Sequence, residues 1–142
     1  MLQRNGAGRP HDSEMAVITK AKLLSNYLFQ VTQHAPKKFR FSLISRMQTL
    51  SLDVISELYK ANETYVPARE QHPALHTQRA IRRLEHSKTA LTALKELDHV
   101  VVLSREMLCI TPKQHEQLAE HIYNVRNLLG AWIKSERKRY PL

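Results

Sequence analysis

Apolar residues recur along this chain at alternating steps of three and four, the spacing that stacks side chains on one face of an α-helix. The clearest stripe is Leu118, Ile122, Val125, Leu129 and Trp132. It predicts a helix over residues 111–140, opened by Thr111 as the cap, Pro112 in the first turn and Gln114 as the capping-box partner. Upstream, Val17, Ala21, Leu24, Leu28, Val31 and Ala35 predict a first helix from about residue 13, with Asp12 and Ser13 as caps. Pro36 closes it by disfavouring helical geometry at Ala35. Leu43, Met47, Leu50, Val54 and Leu58, flanked by Ile44, Ile55 and Tyr59, predict a second helix that opens near residues 39–42. Its apolar face is broad enough for two neighbours in a bundle, or for one neighbour and a second subunit. Ala80, Leu84, Ser87, Leu91, Leu94, Leu97 and Val101 predict a third, from about residues 73–77 to 107. At 1.5 Å per residue its roughly 30 residues span about 45 Å, so one end is expected to project beyond the others.

The connections order these helices. Residues 108–110 leave room only for a tight turn, and the link through Pro36, Lys37 and Lys38 is equally short, so each linked pair is expected to be antiparallel. The predicted fold is all-α: an antiparallel up-down-up-down four-helix bundle over residues 13–140. Residues 62–73, with Pro67 and Pro73, form the longest connection and are expected to be mobile. Residues 1–12, rich in Gly, Arg and Asn without periodicity, are expected to be a disordered leader.

Composition agrees. The 142 residues hold only three Gly, six Pro and one Cys, as a helical chain with a single core would. The formal charge of +9 points to an anionic partner, nucleic acid or an acidic protein surface. No stretch approaches the roughly 20 apolar residues of a membrane-spanning helix, and the first residues lack the apolar run of a signal peptide, so a cytoplasmic protein without a membrane role is expected. Cys109 has no internal partner for a disulfide and is expected to pack as a small buried side chain.

Catalytic chemistry finds little support. There is no Gly-rich phosphate loop, no nucleophile elbow and no paired carboxylates at recognisable spacing, so the chain is expected to be non-enzymatic. Eight histidines raise the question of a metal, and Glu96 with His99 has the Glu-x-x-His spacing of di-iron bundles. That site needs a second such pair and two further inward carboxylates, which are missing, so neither metal nor cofactor is expected. Asp98 and His99 are placed at a helix edge, His72 and His76 around a helix start, and Asp53 as a structural partner for an Arg.

The basic residues fall into three groups: Lys37, Lys38, Arg40 and Arg46 around the first turn; Arg79, Arg82, Arg83 and Lys88 on the third helix; and Lys134, Arg137, Lys138 and Arg139 at the end of the fourth. In the predicted topology the last two groups converge on one pole. Arg79, Arg82 and Arg83 lie within about one turn and are expected to project on one side, where they can straddle phosphates or pair with a partner's carboxylates. The plainer alternative for all three groups is a solvated face, and Lys20, Lys22 and Lys113 are read as ordinary surface. Gly130 inside a helix costs roughly 1 kcal/mol against Ala. A second subunit packing closely over Gly130, Ala131 and Trp132 would offset that; a tolerated glycine near a fraying end is the alternative. Trp132 continues the apolar stripe and belongs to the core or to a subunit interface.

Several stretches resemble known sequences. Pro36-Lys37-Lys38-Phe39-Arg40-Phe41, Arg46-Met47-Gln48, Leu52-Asp53 and Ala61-Asn62-Glu63 resemble the second-helix region of small bacterial four-helix-bundle proteins. These include the accessory variability determinants of diversity-generating retroelements and bundle proteins encoded in ribosomal-RNA intervening sequences. Ala90-Leu91-Thr92-Ala93-Leu94, Leu128-Leu129-Gly130-Ala131-Trp132-Ile133 and the basic run after it look like the retroelement branch in particular. That resemblance covers roughly residues 18–139. It implies a ring-like homopentamer that binds a reverse transcriptase and its template RNA, or an RNA/DNA hybrid, in support of mutagenic copying. The intervening-sequence branch would instead imply a basic bundle that binds ribosomal RNA or only oligomerises. The leader and the histidines around His72 and His76 depart from the pattern.

Overall fold

The computed structural model describes the backbone of residues 10–142 and the side chains from residue 16 onward. It contains four α-helices: α1 Pro10–Gln33, α2 Ser45–Glu63, α3 Pro73–Glu106 and α4 Pro112–Arg139, with no strand among the described residues. Most of the expected leader, residues 1–9, lies outside the described residues. None of the helices described is long and apolar enough to cross a membrane.

The helices form a four-helix bundle in which α2 and α4 each pack against both α1 and α3. Lys22 meets Tyr59 and Thr32 meets Gln48 between α1 and α2; Arg46 meets Glu96 and Arg83 reaches Ala61 between α2 and α3; Arg83 meets Glu136 and Asp98 meets Arg126 between α3 and α4. Rising numbers on one helix meet falling numbers on the next, so consecutive helices run in opposite senses. The predicted stripes of α1 and α4 are buried, from Val17 to Val31 and from Leu118 to Trp132. Each such aliphatic side chain contributes about 1.5–3 kcal/mol by leaving water.

On α3 the buried positions are His76, Ala80, Arg83, Ser87, Ala90, Leu94, Leu97, Val101 and Ser104, a strict alternation of four and three, with Ala93 beside them. Leu84 and Leu91, expected on the stripe, are only partly buried against it. Ala80, Ser87, Leu94, Leu97 and Val101 are buried as expected, while Arg83 and Ala90 take the places expected for Leu84 and Leu91 and make this part of the face smaller and more polar.

The start of α4 matches expectation. The Gln114 N–H donates to the Thr111 hydroxyl oxygen at 3.1 Å and the Thr111 N–H to the Gln114 side-chain oxygen at 3.0 Å, closing the capping box. The corner before it is a Schellman turn, in which the Cys109 N–H donates to the Ser104 carbonyl at 2.8 Å and the Leu108 N–H to the Arg105 carbonyl at 3.1 Å. The left-handed position of that turn, normally glycine, is held by Leu108 with φ 63°. Cys109 is buried, and burial pushes its thiol up from its usual value, away from the reactive thiolate.

The corner between α1 and α2 is less regular than the sequence implies. Residues Lys37–Phe39 form one 3-10 turn and residues Arg40–Ile44 a π turn, so the α-helix proper begins at Ser45 instead of near residues 39–42. Pro36 is extended, with ψ 132°, and starts the tight turn. The wider turn then brings Ile44 into the core while Phe41 stays in solvent.

The connection from α2 to α3, expected to be mobile, is stitched to the bundle. The Thr64 hydroxyl donates to the Lys60 carbonyl at 2.7 Å, Arg83 donates to the Thr64 carbonyl at 3.0 Å, His76 Nδ1 sits 2.8 Å from the Pro67 carbonyl, and Arg69 donates to the Pro141 carbonyl at 2.7 Å. In the first turns of α3, His76 is buried against this connection while residues 73–75, 77 and 78 stay exposed.

Candidate nucleic-acid interface

Two of the three predicted basic groups meet at one end of the bundle. Contact of Arg83 with Glu136 and of the His76 ring with the Tyr140 ring, 5.6 Å between centroids, brings the start of α3 beside the end of α4. At that end Arg82, Lys134, Arg137 and Lys138 are exposed and Arg79 is half-buried.

Arg83 departs from the expectation that it projects with Arg79 and Arg82. Its position on the buried stripe turns it inward, where only 6% of the residue is exposed. Its Nε donates to Glu136 Oε1 at 2.6 Å and its Nη1 to the carbonyls of Ala61 at 3.1 Å and Thr64 at 3.0 Å. The guanidinium also lies 6.0 Å from the Trp132 ring and 5.9 Å from the Tyr140 ring. Arg83 is therefore a tie between α2, α3 and α4 and is closed to a phosphate. Arg139 is exposed but partly committed, 3.6 Å from Glu136 Oε2 and 5.0 Å from the Tyr140 ring.

Lys88 is displaced from this end. It lines the groove between α2 and α3, a depression of about 510 Å³ that also holds Arg46, Asp53, Glu57, Lys60 and Glu96. Acids and bases alternate there, so the groove has no net pull on an anion. Arg46 donates to Glu96 at 2.9 Å, and because both are about half exposed the pair contributes at most about 1 kcal/mol. Asp53, expected to partner an Arg, is exposed in the same groove while Arg46 takes Glu96. Glu96 and His99 do not form a metal cage, and no three His, Cys, Asp or Glu side chains among the described residues are grouped to hold an ion. His76 is spent on the connection before α3.

The third basic group stays at the opposite end. Lys37, Lys38 and Arg40 are exposed and form no ion pair among the described residues. Lys37 and Arg40, with His34, line a depression of about 440 Å³ beside Ile44 and Gln48. The surrounding sequence strengthens this group: between Glu14 and Asp53 there is no acidic residue at all. The acid-free stretch thus covers α1 beyond Glu14, the corner and the first half of α2 up to Asp53.

Gly130 and Ala131 are exposed on α4, and a Cβ added at Gly130 would meet nothing within 4 Å. Close approach of a neighbouring helix within this chain is thus not the reason for the glycine. Trp132, grouped with them as an interface residue, is 1% exposed and belongs to this chain's own core. The sequence reading missed Phe41, which is 91% exposed. Its signal was present in the alternation of basic and aromatic residues from Lys37 to Phe41.

The sequence matches no protein-family model and no curated protein.

Proposed function

We propose that this chain is a non-enzymatic RNA-binding bundle, the cytoplasmic accessory subunit of a diversity-generating retroelement that brings template RNA and reverse transcriptase together. The observation that carries RNA binding is the imbalance of exposed charge: Arg82, Lys134, Arg137 and Lys138 are exposed at one end and Lys37, Lys38 and Arg40 at the other, while of the two acids nearby in sequence Glu136 is consumed by Arg83 and Glu85 stays exposed. Phosphates neutralise such clusters and release counterions, which favours binding without sequence preference. The retroelement role rests on the sequence resemblance, which also supplies the homopentamer. Gly130 and Ala131, open on the surface, are the residues we assign to contact between copies.

Binding to a labelled RNA is measured across a salt series. Log affinity should fall linearly with log salt, and reversing Arg82, Arg137 and Lys138 to Glu should weaken binding more than reversing Lys20 and Lys22. Arg83 is left intact, because reversing it would break the fold. Salt-independent binding that the reversal leaves unchanged would reduce the cluster to a solvated surface. The retroelement role has its own test, a reverse-transcriptase gene and a template/variable repeat pair beside this gene.

A further inference from the structure

Phe41 stands apart from the other exposed apolar residues. A single apolar side chain in water is ordinary, but three features converge on this one. First, it sits in the π turn Arg40–Ile44, a rare irregularity that is frequent at functional sites, and that turn leaves the ring 91% exposed while Ile44 is buried. Second, Lys37, Lys38 and Arg40 lie within four residues of it, exposed and without ion pairs among the described residues. Third, no acid occurs between Glu14 and Asp53, so the near sequence offers an anion no repulsion.

We propose that Phe41 is a stacking face for an unpaired base, with Lys37, Lys38 and Arg40 binding the phosphates on either side, so that this corner takes single-stranded RNA. The inference rests on the RNA-binding reading above and gives it a place and a preference. Charge alone would suit duplex and single strand alike. An exposed aromatic ring changes that, because a base can stack on it only when it is free of its own helix, and every base has a face to offer. Lys38 already shows that cation and ring coexist here, with its ammonium 5.2 Å from the Phe39 ring. Phe39 is partly buried against the core and so fixes the turn from which Phe41 points outward. A second copy meeting this corner through its own corner would set like charges against each other.

The full-length chain is titrated with a labelled oligouridylate of about 16 nucleotides, the upper range of such sites, and with an RNA duplex of equal length. Phe41→Ala should weaken binding to the single strand by about 5- to 150-fold, the loss of one stacked base, and leave duplex binding unchanged. Phe41→Trp should retain it. The fold should not change, as the ring is in solvent, and a thermal melt of each variant checks this. If the parent binds the single strand and Phe41→Ala binds it as tightly, or loses both probes equally, stacking is overturned while RNA binding stands. If the parent binds neither probe, both readings fall. If Phe41→Ala instead lowers the mass seen by light scattering, Phe41 is a contact between copies and the proposal is wrong.

Discussion

Arg83 and Glu136 are 53 residues apart in sequence, yet their side chains meet at 2.6 Å in the interior, each about 7% exposed. The guanidinium also donates to the Ala61 carbonyl in the last turn of α2, which the Thr64 N–H already reaches at 3.2 Å, and to the Thr64 carbonyl just beyond it. One side chain thus closes the last turn of α2, fixes the connection to α3 and holds the end of α4.

Removing either half of this pair strands the other. Arg83→Met should cost about 3–5 kcal/mol, since it leaves the buried Glu136 carboxylate without its buried cation and the Thr64 carbonyl without its donor. The double variant Arg83→Met with Glu136→Leu should recover a large part of that loss. Urea unfolding of the parent, both single variants and the double variant measures the coupling. A single-variant cost below about 1 kcal/mol would mean that the pair behaves as a surface ion pair and does not hold the end together.

Leu108 carries a backbone conformation that suits glycine. A non-glycine residue in the left-handed region costs about 1–2 kcal/mol, and its side chain, 81% exposed, regains little by packing. Leu108→Gly should therefore stabilise the fold by about 0.5–1 kcal/mol after the added entropy of the unfolded chain. Leu108→Val should destabilise it, because branching at Cβ worsens the same clash. Paired melting curves give the sign, and a loss of stability in Leu108→Gly would show that the leucine side chain is held by contacts beyond this chain.

Gly130 has open space around it. In a single chain Gly130→Ala should raise stability by about 0.5–1 kcal/mol through helix propensity alone. If copies pack over Gly130 and Ala131 as we propose, Gly130→Arg should lower the assembled mass by light scattering while helical circular dichroism is retained. An unchanged mass would move the contact between copies elsewhere.

The fold was legible because its main signal is periodic. The stripes of α1 and α4 are buried as the spacing required, and the Thr111 cap opens α4 with both bonds of its box. On α3 the reading went one residue astray because Leu84 and Leu91 look more apolar than Arg83 and Ala90. Strict alternation from Ala80 and Ser87 passes through Arg83, and the α4 stripe, extended four residues beyond Trp132, passes through Glu136. A cation and an acid on two facing stripes at one level were thus readable as a pair. The π turn was not: Arg40 to Ile44 carries no proline, glycine or cap that announces a widened turn, and the exposure of Phe41 follows from that turn alone. The order of the α2–α3 connection was hidden for a different reason, since its anchors His76, Arg83 and Pro141 lie 9 to 72 residues away.

That distance sets a schedule. Arg69 leaves the ribosome 72 residues ahead of Pro141, whose carbonyl it will hold, and at about 5–20 residues per second the interval is about 4–14 s. Thr64 and Ala61 wait as long or slightly longer for Glu136, the carboxylate that anchors their donor. During that time α1, α2 and the growing α3 present an open flank with unclosed carbonyls at one end. Until α4 has emerged, the surface it later covers on α1 and α3 is open to a chaperone, a protease or a neighbouring nascent copy.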